Sequence, residues 1–171
     1  RRLVLASLLG ALLAASAIPS AAAGAAPAPG EGWVRLGHLS PDTKEVDVRL
    51  TALSGGSVAL DLANVGYGVV SSYAPLATGT YAVAMVPAGS DSWATPVISA
   101  QITVDDGSAA TVAAYGPNSA LQVKAFSDDL TQPAAGRARV RVIQASTVAS
   151  SVDVTSSTGV VLAQDAEQGS A

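Results

Sequence analysis

From Trp33 onward the apolar residues fall in short runs or in alternation, and no stretch sustains a helical period. The runs predict eight strands: Val34–Leu39, Val46–Leu53, Ser57–Leu62, Val69–Ala74, Gly79–Pro87, Val97–Val104, Ala109–Gly116 and Leu121–Ser127. Between them stand Ser40-Pro41-Asp42, Gly55-Gly56, Ala88-Gly89-Ser90-Asp91, Asp105-Asp106-Gly107 and Gly116-Pro117-Asn118. Gly-Gly and Asp-Gly pairs supply the positive φ angles of tight hairpins. Val46-Asp47-Val48-Arg49-Leu50 and Thr80-Tyr81-Ala82-Val83-Ala84-Met85-Val86 alternate, as strands do with one face in a core and one in water. The pattern predicts an all-β chain, an immunoglobulin-like antiparallel β-sandwich. Leu76-Ala77-Thr78-Gly79-Thr80-Tyr81 is a candidate tyrosine corner, its hydroxyl bonding back to the preceding turn.

The amino-terminal segment departs from this pattern. Arg1-Arg2, an apolar run from Leu3 to Ile18, then Pro19 and small residues predict a signal peptide over residues 1–23, cut after Ala23. The run is short of the roughly 20 residues a membrane span needs. Residues 24–32 read as a Pro/Ala/Gly spacer. The expected location is therefore secreted or cell surface, with no membrane insertion of the mature region.

Composition narrows the chemistry. The 171 residues contain no cysteine and one histidine, His38. Disulfides, thiol nucleophiles, Cys-ligated zinc and multi-histidine metal sites are thereby excluded. Without Arg1 and Arg2 the chain keeps 7 of its 9 basic residues against 13 acids, a net charge of −6. That balance argues against nucleic acid as a partner. Charged residues are 13% and hydrophobic residues 49%, enough apolar material for a core.

One segment occurs twice. Val34-Arg35-Leu36-Gly37-His38-Leu39-Ser40 returns as Val140-Arg141-Val142-Ile143-Gln144-Ala145-Ser146, and Val46-Asp47-Val48 as Val152-Asp153-Val154, at a constant offset of 106. The repeated motif residues are Arg35, Ser40 and Asp47, matched by Arg141, Ser146 and Asp153. A period of this size is a whole sandwich domain. The expected organisation is a β-sandwich domain over 33–130, a linker over 131–137 and the start of a second repeat domain over 138–171. About 34 residues cannot bury a core alone. The chain is thus expected to be a fragment, with its last two strands frayed or docked on an edge of the first domain.

The repeated segment resembles the opening of the domain-of-unknown-function 4397 family, a strand followed by His/Gln-Ala-Ser-Pro-Asp, a spacer and Val-Asp-Val. The matching residues are Val34, Arg35, His38, Ser40, Pro41, Asp42, Val46, Asp47 and Val48, and in the second segment Gln144, Ala145, Ser146, Val152, Asp153 and Val154. Thr147-Val148 replaces the Pro-Asp pair there. Leu76 and Gly79-Thr80-Tyr81-Ala82-Val83 resemble the family's middle strand. The resemblance implies exported or cell-surface bacterial proteins built of tandem immunoglobulin-like sandwiches. It implies no activity and no catalytic residues.

Candidate chemistry is sparse. His38, Ser40 and Asp42 invite a nucleophile–base–orienter reading, but a triad needs an oxyanion hole and a positioned third group, and no Gly-x-Ser-x-Gly elbow occurs. Gln144 in the place of His38 shows that the repeat does not demand an imidazole. Asp47 is expected in solvent or paired across strands with Arg35. Asp42, Glu45, Asp47, Asp105-Asp106 and Asp128-Asp129 are the carboxylates a calcium site would draw on, without an Asp-x-Asp-x-Asp-Gly loop. Trp33, Trp93, Tyr67, Tyr73 and Tyr115 could form a sugar-stacking surface, Trp93 being the possible ligand-binding residue in its loop. The plainer expectation is that Trp33 and Trp93 close the ends of the core. No cofactor is expected. The expected role is a non-catalytic extracellular or cell-envelope module, structural, adhesive or interacting, with a carbohydrate- or cell-wall-binding module as the alternative. Its partner would be an unknown protein or a cell-wall glycan.

Overall fold

The computed structural model describes residues 26–171, so the expected signal peptide lies outside the described residues. Eight strands form the sandwich: β1 Glu31–His38, β2 Val46–Ala52, β3 Val58–Val65, β4 Ala74–Ala77, β5 Gly79–Pro87, β6 Ile98–Val104, β7 Ala109–Tyr115 and β8 Gln122–Ser127. β1 begins at Glu31, so the last two residues of the expected spacer belong to the sheet. One sheet runs β4-β1-β7-β8 and the other β3-β2-β5-β6. A constant immunoglobulin domain divides its strands as ABED and CFG. Here each sheet takes four strands, and β1 runs parallel to β7 while every other ladder is antiparallel. A parallel pair needs a long crossover, and the whole second sheet lies in this one.

The alternation seen in the sequence is the inward face of each strand. Val34 and Leu36 of β1 meet Val112 and Ala114 of β7 on one side. Val46, Val48 and Leu50 of β2, Tyr81, Val83 and Met85 of β5, and Ile102 and Val104 of β6 close the core from the other. The centre is aliphatic, with Leu50 fully buried. The Gly55-Gly56 pair turns β2 into β3 with φ of 87° and 68°, angles that glycine adopts without steric cost. The Tyr81 hydroxyl donates to the Ala77 carbonyl at 2.7 Å, the geometry expected of the tyrosine corner.

The expected strand Val69–Ala74 is displaced. The chain does run along β1, with His38 N–H donating to Val69 O and Ser71 N–H donating to Leu36 O. However, Leu36 N–H donates to the Ser71 hydroxyl instead of a ladder carbonyl. The side chain interrupts the ladder, and regular pairing starts only at Ala74.

Residues 138–171 are neither frayed nor added to an edge ladder. β9 (Ser151–Thr155) and β10 (Val161–Glu167) pair with each other as a separate two-stranded sheet. The segment meets β7 and β8 through side chains. The Lys124 ammonium donates to Gly169 O at 2.7 Å. Gly169 packs so close to Tyr115 that a Cβ there would clash with the phenol oxygen. Among the described residues no helix is long and apolar enough to cross a membrane.

Two substitutions test this packing. Leu50→Ala should cost about 2–5 kcal/mol by emptying the core, and Tyr81→Phe about 1 kcal/mol by removing one hydrogen bond. Urea unfolding of both variants measures the difference.

Candidate functional site

The motif residues mostly solve backbone problems. His38 ends β1 and is 1% exposed. Its Nδ1 accepts from Ser40 N–H and its Nε2 donates to Lys44 O, both at 3.3 Å, which assigns the proton to Nε2. The Ser40 hydroxyl meets Thr43 Oγ1 at 2.7 Å and Asp42 Oδ1 at 3.3 Å. Asp42 also accepts from Asn118 N–H, tying the β1–β2 turn to the β7–β8 turn. Serine and histidine thus touch through a backbone amide, not through the hydroxyl, and Ser40 is fully buried.

The second segment repeats this arrangement with different atoms. Gln144 Oε1 accepts from Ser146 N–H at 2.6 Å and its Nε2 donates to Ala149 O at 3.0 Å. An amide offers one acceptor and one donor side, as the neutral imidazole does. Backbone bonds flanking His38 recur too: Gly68 N–H to His38 O is matched by Gly169 N–H to Gln144 O.

Asp47 does not pair with Arg35, because β1 and β2 lie in different sheets. Its Oδ1 instead accepts from Asn64 N–H at 2.8 Å, and Oδ2 from Gly89 N–H at 2.9 Å. Asn64 has φ 55° and sits where the β2–β3 register shifts between Val46 and Val48. Asp153 Oδ1 likewise accepts from Asp165 N–H at 2.8 Å, with φ 48° and a matching shift in the β9–β10 register. A bulge frees an amide from its ladder. The aspartate between two valines satisfies that amide.

Arg35 belongs to another cluster, centred on Asp128 just past β8. The Asp128 side chain is 6% exposed. Its Oδ2 accepts from the Tyr73 hydroxyl at 2.7 Å and the Thr111 hydroxyl at 2.6 Å. Arg35 Nε donates to Thr111 Oγ1 at 2.8 Å and lies 3.9 Å from Asp128. Arg141, the counterpart of Arg35, places Nη1 3.5 Å from the other carboxylate oxygen and also donates to Ser127 O. One carboxylate therefore holds both repeated arginines. The sequence signalled this only through their recurrence, since nothing local marks Asp128 as their partner. Burial, then the hydrogen bond to Asp128, raises the Tyr73 phenol above its ordinary value of 10.0, against the opposing pull of Arg35. Beside this hub the Thr131 hydroxyl and amide hold Asp129 below the usual carboxylate range, with Arg139 at 2.5 Å.

The hub forms the floor of an open groove of ≈ 790 Å³ between β8 and the second segment, lined among others by Arg35, Tyr73, Arg137, Arg139 and Arg141. By contrast the cavity beneath His38, inside the core, measures ≈ 10 Å³, room for about one water.

Neither tryptophan closes an end of the core. Trp33 faces outward on β1, half-buried, with its ring 6.1 Å from that of Tyr73. Trp93 is half-buried in the β5–β6 connection, with the Arg49 guanidinium 4.1 Å from its ring centre. Arg49 in turn pairs with Asp61 at 2.6 Å. The acids weighed for calcium do not converge: among the described residues no group of three or more His, Cys, Asp or Glu could hold a metal.

The raised Tyr73 value has a pH consequence. The fold favours the neutral phenol, so its contribution is complete below pH 10 and is lost as pH rises through the folded-state value. Tyr73→Phe should therefore be less stable than the wild type at pH 7, by about 1 kcal/mol for the lost hydrogen bond. The gap should narrow above pH 10, as read from thermal unfolding between pH 7 and 11.

No curated protein matches the chain. A family model described as "Domain of unknown function (DUF4397)" matches residues 32–155, which takes in all of the sandwich but Glu31 and the repeated motif through Val154. With most of its length matched, the chain belongs to the DUF4397 family.

Proposed function

We propose that this is a non-catalytic extracellular or cell-envelope module with a structural or interaction role, and that residues 138–171 begin a second, tandem copy of the sandwich. One observation carries the reading: His38 and its counterpart Gln144 make the same kind of bridge, accepting from the amide two residues on and donating to a carbonyl further along the turn. A catalytic imidazole would not be exchangeable for an amide. His38 bonds to two backbone groups, and no carboxylate orients it as a triad requires. The matching bulges at Asn64 and Asp165 support tandem copies. The amino-terminal Arg1-Arg2 and apolar run support export.

A carbohydrate-binding role for Trp93 has less support, since Arg49 already covers the ring.

Export and the absence of imidazole chemistry are tested together. The full chain carrying a carboxy-terminal epitope should fractionate outside the cytoplasm, and retention inside would overturn the localisation. His38→Gln should keep stability within about 1 kcal/mol of wild type, whereas His38→Ala should cost about 2–4 kcal/mol through a cavity and an orphaned amide. A His38→Gln chain destabilised as much as His38→Ala would overturn the exchange of imidazole for amide on which the non-catalytic reading rests.

A further inference from the structure

The groove over Asp128 concentrates charge against the trend of the chain. Beyond the expected cleavage site there are seven basic residues, and four of them, Arg35, Arg137, Arg139 and Arg141, line it. Only two carboxylates, Asp128 and Asp129, face them there. Arg137 pairs with no carboxylate among the described residues. Arg139 pairs with Asp129 where both side chains are about half exposed, a contact an incoming anion can replace. Arg35 and Arg141 are held in place by the buried Asp128, so their remaining N–H donors are pre-aimed.

One outward-facing aromatic ring, that of Trp33, stands beside the groove wall at Tyr73. Tyr73 lines the groove, carries the Arg35 guanidinium 4.8 Å from its ring centre, and abuts the outward-facing Trp33. The C–H face of a pyranose packs on such rings, while guanidinium forks take carboxylates in pairs of hydrogen bonds. Elsewhere the acidic surface repels a polyanion, which confines its approach to this groove.

We propose that the groove binds a carboxylate-bearing polysaccharide, with Arg137 and Arg139 taking its carboxylates and the outward-facing Trp33, beside Tyr73, taking a sugar face. The inference rests on the envelope reading, since it supplies that module with a ligand class.

Titration calorimetry of residues 24–171 with polygalacturonate oligomers tests it, with neutral dextran and inorganic polyphosphate as comparison probes. Expected is saturable binding of polygalacturonate that weakens as salt is raised. The double variant Arg137→Ala/Arg139→Ala should lose roughly tenfold or more in affinity, and Trp33→Ala a smaller factor. Lys44→Ala, which removes one charge outside the groove, should bind as wild type. Thermal unfolding checks that each variant is folded. Undiminished binding by the arginine double variant overturns the proposal, as does a failure to bind polygalacturonate. Equal affinity for polyphosphate also overturns it, because charge alone would then account for binding. Fractionation separates the two readings. A chain outside the cytoplasm that ignores polygalacturonate defeats only the groove, and a cytoplasmic chain that binds it defeats only the setting.

Discussion

A carboxylate as buried as Asp128 persists only if its oxygens are filled. Four side chains compensate it: the hydroxyls of Tyr73 before β4 and Thr111 on β7 donate hydrogen bonds, and Arg35 on β1 and Arg141 in the second segment supply opposing charge. These come from points far apart in sequence, so the hub forms only when the β4-β1-β7-β8 sheet is assembled. It then fixes where the second segment leaves the sandwich. Lys124 and Tyr115 hold the far end of that segment through Gly169. The junction is therefore built from side chains on a finished sheet face, which is why it adds no strand to the edge of β8.

The repeated motif obeys a similar logic at smaller scale. Two of its polar positions answer backbone groups that the β architecture leaves without a ladder partner. His38 and Gln144 each bridge the amide two residues on and a carbonyl further along the turn. Asp47 and Asp153 each satisfy the amide of a bulge residue with positive φ. An aspartate flanked by valines thus has a structural reason to recur, in a chain whose buried amides must be paired.

Much of the fold was legible because period-two alternation survives in a small, half-solvated sheet. Gly79–Pro87 matches β5 residue for residue, and the other strands, Val69–Ala74 apart, differ by a few residues at their ends. The displaced strand at Val69 depended on Ser71 substituting for a carbonyl, which no propensity encodes. The site was legible only in part. Recurrence marked Arg35 and Arg141, but their partner lies 93 and 13 positions away with no local sign. The expected Arg35–Asp47 pair failed because strands adjacent in sequence fall in opposite sheets. The tryptophans were misplaced for a related reason. A large ring in an all-β sequence suggests a core position, whereas this core is aliphatic apart from Tyr81.

That aliphatic core determines where recognition can reside. The three cation–aromatic contacts, Arg35 with Tyr73, Arg49 with Trp93 and Lys124 with Phe126, join residues whose strand positions or loop lie on the outer faces of the two sheets. Each lets a long basic side chain cover apolar area while keeping its charge near water. The Arg49–Trp93 pair is closed further by Asp61, and Lys124 is spent on Gly169. Only at Tyr73 does the covered ring open onto a groove that holds further guanidinia. The two sheets thus differ in what their outer faces offer. One clamps its own β5–β6 loop through Asp47 and Arg49. The other, through Asp128, holds charged groups at the junction with residues 138–171.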